Sequence, residues 1–286
     1  MSDTGWPPLL VNAALTGMVP TKADNPAVPI TPEEIAEDAE RCVRAGASVV
    51  HLHARDRDGR PTYERAVYAE IVAAVRERCP DVLVCVSTSG RLWPELEKRA
   101  AVLDLEGALK PDLASLTLGS LNFPTQASVN EPATIRGLAE RMAERGIVPE
   151  LEVFDLGMVD YLRFLLDRGV LRPPLYVNLL LGSLGTIAAT PLNLALLVQA
   201  LPEGATWSAT GIGRFQFRVN ALAIASGGHV RVGLEDNLWL DEEKTQPATN
   251  AALVERLVGV ARACGRTPAT PAQARELIGL PLRVAG

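Results

Sequence analysis

A chain of 286 residues with a formal net charge of −6 has room for one large domain or two small ones. Its charge argues against a nucleic-acid-binding surface while leaving room for a local basic pocket. The apolar share of 48% and charged share of 22% are those of a globular protein. No basic-then-apolar start reads as a signal peptide, and runs such as residues 175–181 fall far short of the roughly 20 apolar residues that span a bilayer. A cytoplasmic protein with no membrane partner is expected. Its four cysteines, Cys42, Cys79, Cys85 and Cys264, form no C-x-x-C pair and read as free thiols.

In chain order, an apolar run at 9–15 reads as a strand. A helix follows with Thr31 as N-cap, Pro32 in its first turn and Glu34 three residues after the cap, ending at Gly46. A strand at 48–53 precedes a helix over 63–79, stopped by Pro80; a strand at 82–87 precedes an irregular helical stretch over 94–109. Strands at 113–118, 148–154, 175–181, 206–210 and 229–234 alternate with helices over 133–145, 158–168, 192–200, 216–226 and 250–264. A last helix over 271–278 is capped by Thr270. The strands are near-continuous apolar runs, as expected when both faces are buried in a parallel sheet. Strand then helix, eight times and without a linker, predicts one (β/α)8 TIM barrel domain over residues 1–286. An open doubly wound sheet would need a Gly-rich phosphate loop after its first strand, and the segment from Thr16 to Pro20 is not one.

Function in such a barrel sits at the C-terminal strand ends. The second strand ends in His51, His53 and Arg55. The i, i+2 spacing puts both imidazoles on one face. The eighth strand holds Arg231, Gly233 and Glu235 at one parity, with Asp236 next. Two histidines and a carboxylate leave coordination positions open, which suits a catalytic zinc, with other divalent transition metals as alternatives. Asp236 then reads as a base beside Arg231, or else as half of an ordinary polar pair opening a loop. Ser87, Thr88, Ser89 and Gly90 form a hydroxyl-rich loop able to hold a carboxylate or phosphate, although taken alone a plain turn is the better reading. Gly211, Gly213 and Arg214 precede a helix and offer a weak phosphate or CoA cradle. Glu150 and Glu152 on the fifth strand receive no role.

Taken together, the segments around Asn12–Gly17, Pro29–Glu34, His51–Arg55, Ser87–Gly90, Leu121–Phe123 and Gly227–Asn237 resemble the β-keto acid cleavage enzymes, in order and over essentially the whole chain. The resemblance implies a zinc-bearing TIM barrel, usually a homotetramer. It also implies an acyl transfer in which a β-keto acid and acetyl-CoA give acetoacetate and a shortened acyl-CoA. On this resemblance His51, His53 and Glu235 would hold zinc, and Asp236 would take the substrate proton with Arg231 holding it. Ser87, Gly90 and Ser115 would bind the substrate, Ser115 standing where the family's typical residue is Thr.

One departure bears on the substrate. The type member pairs its substrate's amino group with a glutamate, and the matching position here is Val19. A buried ammonium without a partner is costly, so an uncharged, short aliphatic or branched tail is expected. Extra residues around Arg91 and Trp93 reshape the entrance, and Arg91 offers the opposite reading, an acidic tail. Two alternatives stand beside this function: a metal-dependent aldolase or acyl-CoA lyase that needs no acetyl-CoA, and a ligand-binding barrel without activity.

Overall fold

The eight apolar runs form eight short parallel strands in a computed structural model that describes residues 5–281; the outermost ends of the expected 1–286 domain lie outside the described residues. The barrel strands are β1 (Val11–Ala14), β2 (Val49–Leu52), β3 (Leu83–Val86), β4 (Leu113–Thr117), β5 (Val148–Val153), β6 (Tyr176–Leu181), β7 (Thr206–Gly211) and β8 (His229–Val232). They pair in sequence order, and β8 closes on β1 with Asn12 beside Arg231. On its other side β1 pairs with β2, placing Ala14 beside His51. The structure is thus the expected (β/α)8 barrel.

The helices are α1 (Pro32–Ala45), α2 (Arg65–Arg78), α3 (Leu96–Ala100), α4 (Pro132–Arg145), α5 (Leu156–Asp167), α6 (Pro191–Ala200), α7 (Gln216–Ala225), α8 (Asn250–Ala263) and α9 (Pro271–Leu277). Local chemistry sets their ends. Thr31 and Glu34 form a reciprocal capping box at α1, and left-handed Gly46 ends it. Thr270 and Gln273 do the same for α9. The irregular 94–109 stretch is one short α-helix followed by two 3₁₀ turns. A two-stranded hairpin, Leu121–Asn122 with Ala127–Ser128, was not anticipated; its strands are too short to show a period.

One apolar layer lies between the strands and the surrounding helices. A second, smaller cluster fills the lower barrel, where Ala274 and Ile278 of the α9 region meet Leu10, Leu83 and Leu113. That end is closed, so polar inward side chains collect toward the other. All four cysteines are free, three of them buried. Among the described residues no helix is long and apolar enough to cross a membrane.

Candidate active site

His51 and His53 stand on and just after β2, with Nε2 atoms 3.3 Å apart. His53 Nε2 lies 3.1 Å from Glu235 Oε1, and His51 Nε2 lies 3.8 Å from Glu235 Oε2. Glu235 reaches them because of two glycines. A Cβ on Gly233 would stand 2.0 Å from the Ala14 carbonyl oxygen, so only glycine lets the chain leave β8 this close to β1. The Glu235 N–H then donates to that oxygen. Gly17, in a left-handed conformation, leaves the space that Glu235 Cγ occupies, 2.7 Å from where a Cβ would sit. Arg55 donates to the carbonyls of Gly17 and Pro20 and so pins the loop carrying Met18 and Val19.

Beneath the pair lies Glu150, fully buried on β5. Its Oε2 accepts from His51 Nδ1 (2.8 Å) and from the Cys85 thiol, and its Oε1 accepts from Asn12 Nδ2 (2.7 Å). With Nδ1 of His51 turned to Glu150, Nε2 is the ring nitrogen that faces His53 and Glu235 and would be free to ligate a metal. Burial alone would raise the Glu150 carboxyl, but His51 and Arg231 outweigh it and hold it below its ordinary value.

Two groups have metal-ligand spacing, His51–His53–Glu235 and His51–Cys85–Glu150. In the second, Glu150 is already committed to its donors, and burial, reinforced by Glu150, raises the Cys85 thiol well above its usual range. In the first, Glu235 Oε2 is buried with no hydrogen-bond partner. An orphaned carboxylate oxygen beside two imidazole nitrogens fits a divalent cation, and the nitrogen–oxygen donor set suits zinc.

Arg231 crosses the barrel between four carboxylates. Its guanidinium approaches Glu235 at 2.7 Å, Asp236 at 2.9 Å, Glu152 at 3.2 Å and Glu150 at 3.9 Å. Burial would raise the Glu235 carboxyl; Arg231, then the two histidines, reverse this and hold it well below the usual carboxylate range. Asp236 differs: burial, aided by Glu235, raises its carboxyl despite Arg231. Two adjacent acids therefore have opposite tendencies, one held ionised and one more ready to accept a proton.

A cavity of about 400 Å³ opens above these groups, lined by His53, Glu152, Arg231, Glu235 and Asp236 at its polar end. Ser87 and Ser115 line it as well. Gly90 packs behind the wall instead: a Cβ there would stand 2.6 Å from Arg99 Nη1 and 2.8 Å from the Val129 carbonyl. Arg99 donates to the Thr88 carbonyl (2.7 Å) and to Asn130 Oδ1 (2.8 Å), which braces the Ser87–Gly90 turn. Val19 lines the cavity and is 62% exposed. Trp93 packs edge-on against Tyr63 and lines a smaller neighbouring hollow.

Of the segment after β7, Ile212 lines the cavity while Gly211, Gly213 and Arg214 do not. A Cβ on Gly211 would stand 2.3 Å from the Phe215 carbonyl oxygen, so close packing of the next turn accounts for that glycine. The Gly213 N–H donates to the Asp236 carbonyl, and Arg214 is exposed with its guanidinium over the Phe215 ring.

Residues 8–280 match the family profile described as beta-keto acid cleavage enzyme. The chain is 41% identical over 274 residues to the 3-keto-5-aminohexanoate cleavage enzyme of Fusobacterium nucleatum, covering 95% of this chain and 98% of that one. It is 38% identical over 277 residues to the 3-oxoadipate:acetyl-CoA acetyltransferase of Cupriavidus necator, covering 96% of this chain and 95% of that one. Among solved structures, the ternary complex of ObcA with a C4-CoA adduct and oxalate superposes with a TM-score of 0.80 at 25% identity, over 89% of this chain and 68% of that one.

Proposed function

This chain belongs to the β-keto acid cleavage enzymes, and from that premise we propose that it converts a β-keto acid and acetyl-CoA into acetoacetate and the CoA thioester of the shortened acid. The observation that supports this most directly is Asp236 beside the His51–His53–Glu235 cluster, with Asp236, His53 and Glu235 lining one cavity and the Asp236 carboxyl raised by burial. A zinc ion on those three ligands would polarise the keto oxygen and acidify the carbon between keto group and carboxylate.

Asp236 takes the proton from that carbon. Arg231, donating to both Asp236 oxygens (2.9 and 3.3 Å), fixes the carboxylate's orientation for the transfer. The carbanion attacks the acetyl thioester carbonyl and releases CoA thiolate. The thiolate then attacks the former keto carbon, the carbon–carbon bond breaks to release the new thioester and the acetoacetate enolate, and Asp236 returns its proton to the carbon from which it came to give acetoacetate. The hydroxyls of Ser87 and Ser115, with the backbone of the turn that Gly90 closes, hold the substrate carboxylate. Exposed Arg214 is the proposed contact for the CoA phosphates at the rim, with Gly211 and Gly213 shaping the turn that carries it rather than touching the phosphates. Val19 offers no charge to an ammonium, so the tail carries no cation; the uncharged tail expected from the sequence meets this condition, and an anionic tail does too. A homotetramer belongs to the same proposal, supported by apolar side chains left open on α6 (Leu192, 67% exposed) and α5 (Phe164, 45% exposed).

The test is acetoacetate formation by zinc-loaded protein across β-keto acids with neutral, acidic and amino tails, with and without acetyl-CoA. Acetyl-CoA-dependent acetoacetate is expected, inactive with the amino tail, and reduced at least ~100-fold in kcat by Asp236→Asn while zinc stays bound. Cleavage without acetyl-CoA would instead identify an aldolase or lyase, and zinc-loaded protein that binds but never turns over would identify a binding barrel.

A further inference from the structure

The cavity holds a cation that the chemistry above does not use. Arg91 lines it, and its guanidinium carbon lies over the Phe123 ring at 3.6 Å from the centroid. That ring is itself braced edge-on against Phe154. The Phe123 N–H donates to the Gln126 carbonyl, which closes the small hairpin that presents the ring. The arginine backbone is tied at both ends: its N–H donates to Ser89 Oγ (3.3 Å) and its carbonyl accepts from Gln126 Nε2 (3.4 Å). The charge is therefore held in place by the hairpin and by the Ser87–Gly90 turn.

Arg91 forms no ion pair among the described residues, and the other cavity-lining arginine, Arg231, is saturated by four carboxylates. The same cavity is also lined by the apolar side chains of Leu121, Leu180 and Ile212. Arg91 is partly desolvated, and the charges of Glu235, Glu152 and Asp236 reach it. A fixed, partly desolvated and unpaired guanidinium costs stability unless a ligand supplies the anion. It also matches a carboxylate in planar, two-point fashion.

We propose that Arg91 binds a second carboxylate at the far end of the β-keto acid, so that the preferred substrate is a short 3-oxo dicarboxylate. This rests on the cleavage reaction proposed above and replaces the neutral tail that Val19 alone suggested. The keto acid end then lies at Glu235 and Asp236, the methylene chain lies against those apolar side chains, and the tail carboxylate meets the guanidinium over Phe123.

The experiment compares 3-oxoadipate with the neutral-tailed 3-oxohexanoate in wild type, Arg91→Gln and Arg91→Lys, each with acetyl-CoA varied. It also measures 3-oxoadipate binding by calorimetry without acetyl-CoA. Wild type should favour the diacid about 10- to 100-fold in kcat/KM, the worth of one charge-assisted contact. Arg91→Gln should erase that ratio mainly through KM, Arg91→Lys should restore part of it, and diacid binding should weaken by a similar factor. Three results would each overturn the assignment: an unchanged diacid-to-neutral ratio in Arg91→Gln, a rise in KM for acetyl-CoA alone (which would give Arg91 to the CoA phosphates), and an equal loss for both acids (which would give it to the common carboxylate). If no acid yields acetoacetate, the cleavage reaction fails, and calorimetry decides separately whether Arg91 holds the diacid.

Discussion

Replacing Glu150 by Gln keeps the side chain's size and removes half of the acceptor that fixes His51. Glu150 Oε2 lies 2.8 Å from His51 Nδ1, so Nε2 is the ring nitrogen that faces Glu235 and would be free to ligate a metal. An amide there could present its NH₂ to His51 and turn the ring's proton to the wrong nitrogen. Outer carboxylates of this kind are typically worth 10- to 100-fold in metal affinity. Glu150→Gln should therefore weaken zinc binding by about that factor, read by competition with a chelator; an affinity equal to wild type would remove Glu150 from the site. The sequence carried a signal for this residue. A carboxylate inside an apolar strand has to be paired, but nothing in the linear chain says that its partner is His51, 99 positions away.

At the scale of elements, β8 ends where it does because Gly233 is the residue that lets it pass the Ala14 carbonyl. Asn250, at the start of α8, locks the same turn: its Oδ1 accepts from the Leu234 N–H (2.7 Å), and its Nδ2 donates to the Leu15 carbonyl and to Asp38. A methyl group at 233 must push β1 and β8 apart, and with them Glu235 and Asp236. Gly233→Ala should cost about 3 kcal/mol or more in chemical unfolding and abolish zinc binding. Gly259→Ala on α8 meets open space and should stabilise by up to about 1 kcal/mol. Equal stability of the two variants would refute the argument from close approach. Strand and helix positions were legible in the sequence because burial on both faces and capping residues are local signals. The hairpin whose strands flank Phe123 was not, because strands of two residues each are too short to show a period.

For the molecule as a whole, the third histidine matters to stability. His229, at the opposite end of β8 from Glu235, accepts the Leu10 N–H on Nδ1 and is buried, which, together with the nearby Arg266 charge, pushes it down to about 3. The unfolded chain takes up a proton on this ring below about pH 6.5, whereas the folded chain does not until about pH 3. Its contribution is therefore complete above pH 6.5 and is lost as the pH falls below that. By pH 5 the loss from this group is about 2 kcal/mol. His229→Gln, which retains an acceptor for Leu10, should show a smaller drop in urea midpoint between pH 7 and pH 5 than wild type. Parallel curves would show that the ring is not the titrating group.

The sequence by itself determined the alternation of strands and helices, the barrel they build, the pairing of His51 with His53 and the acidic end of β8. These follow from periodicity, caps and side-chain parity, all properties of neighbouring residues. Only the tertiary structure decided that Arg231 serves four carboxylates, that Glu150 lies under His51, and that Arg91 turns into the cavity over Phe123 rather than out to solvent. The first two depend on closing eight strands into a ring, which brings Arg231 to Glu152, 79 positions away, and His51 to Glu150, 99 positions away; the third depends on the hairpin that presents Phe123. In that water-poor interior a charge has to meet a partner or wait for a ligand that supplies one.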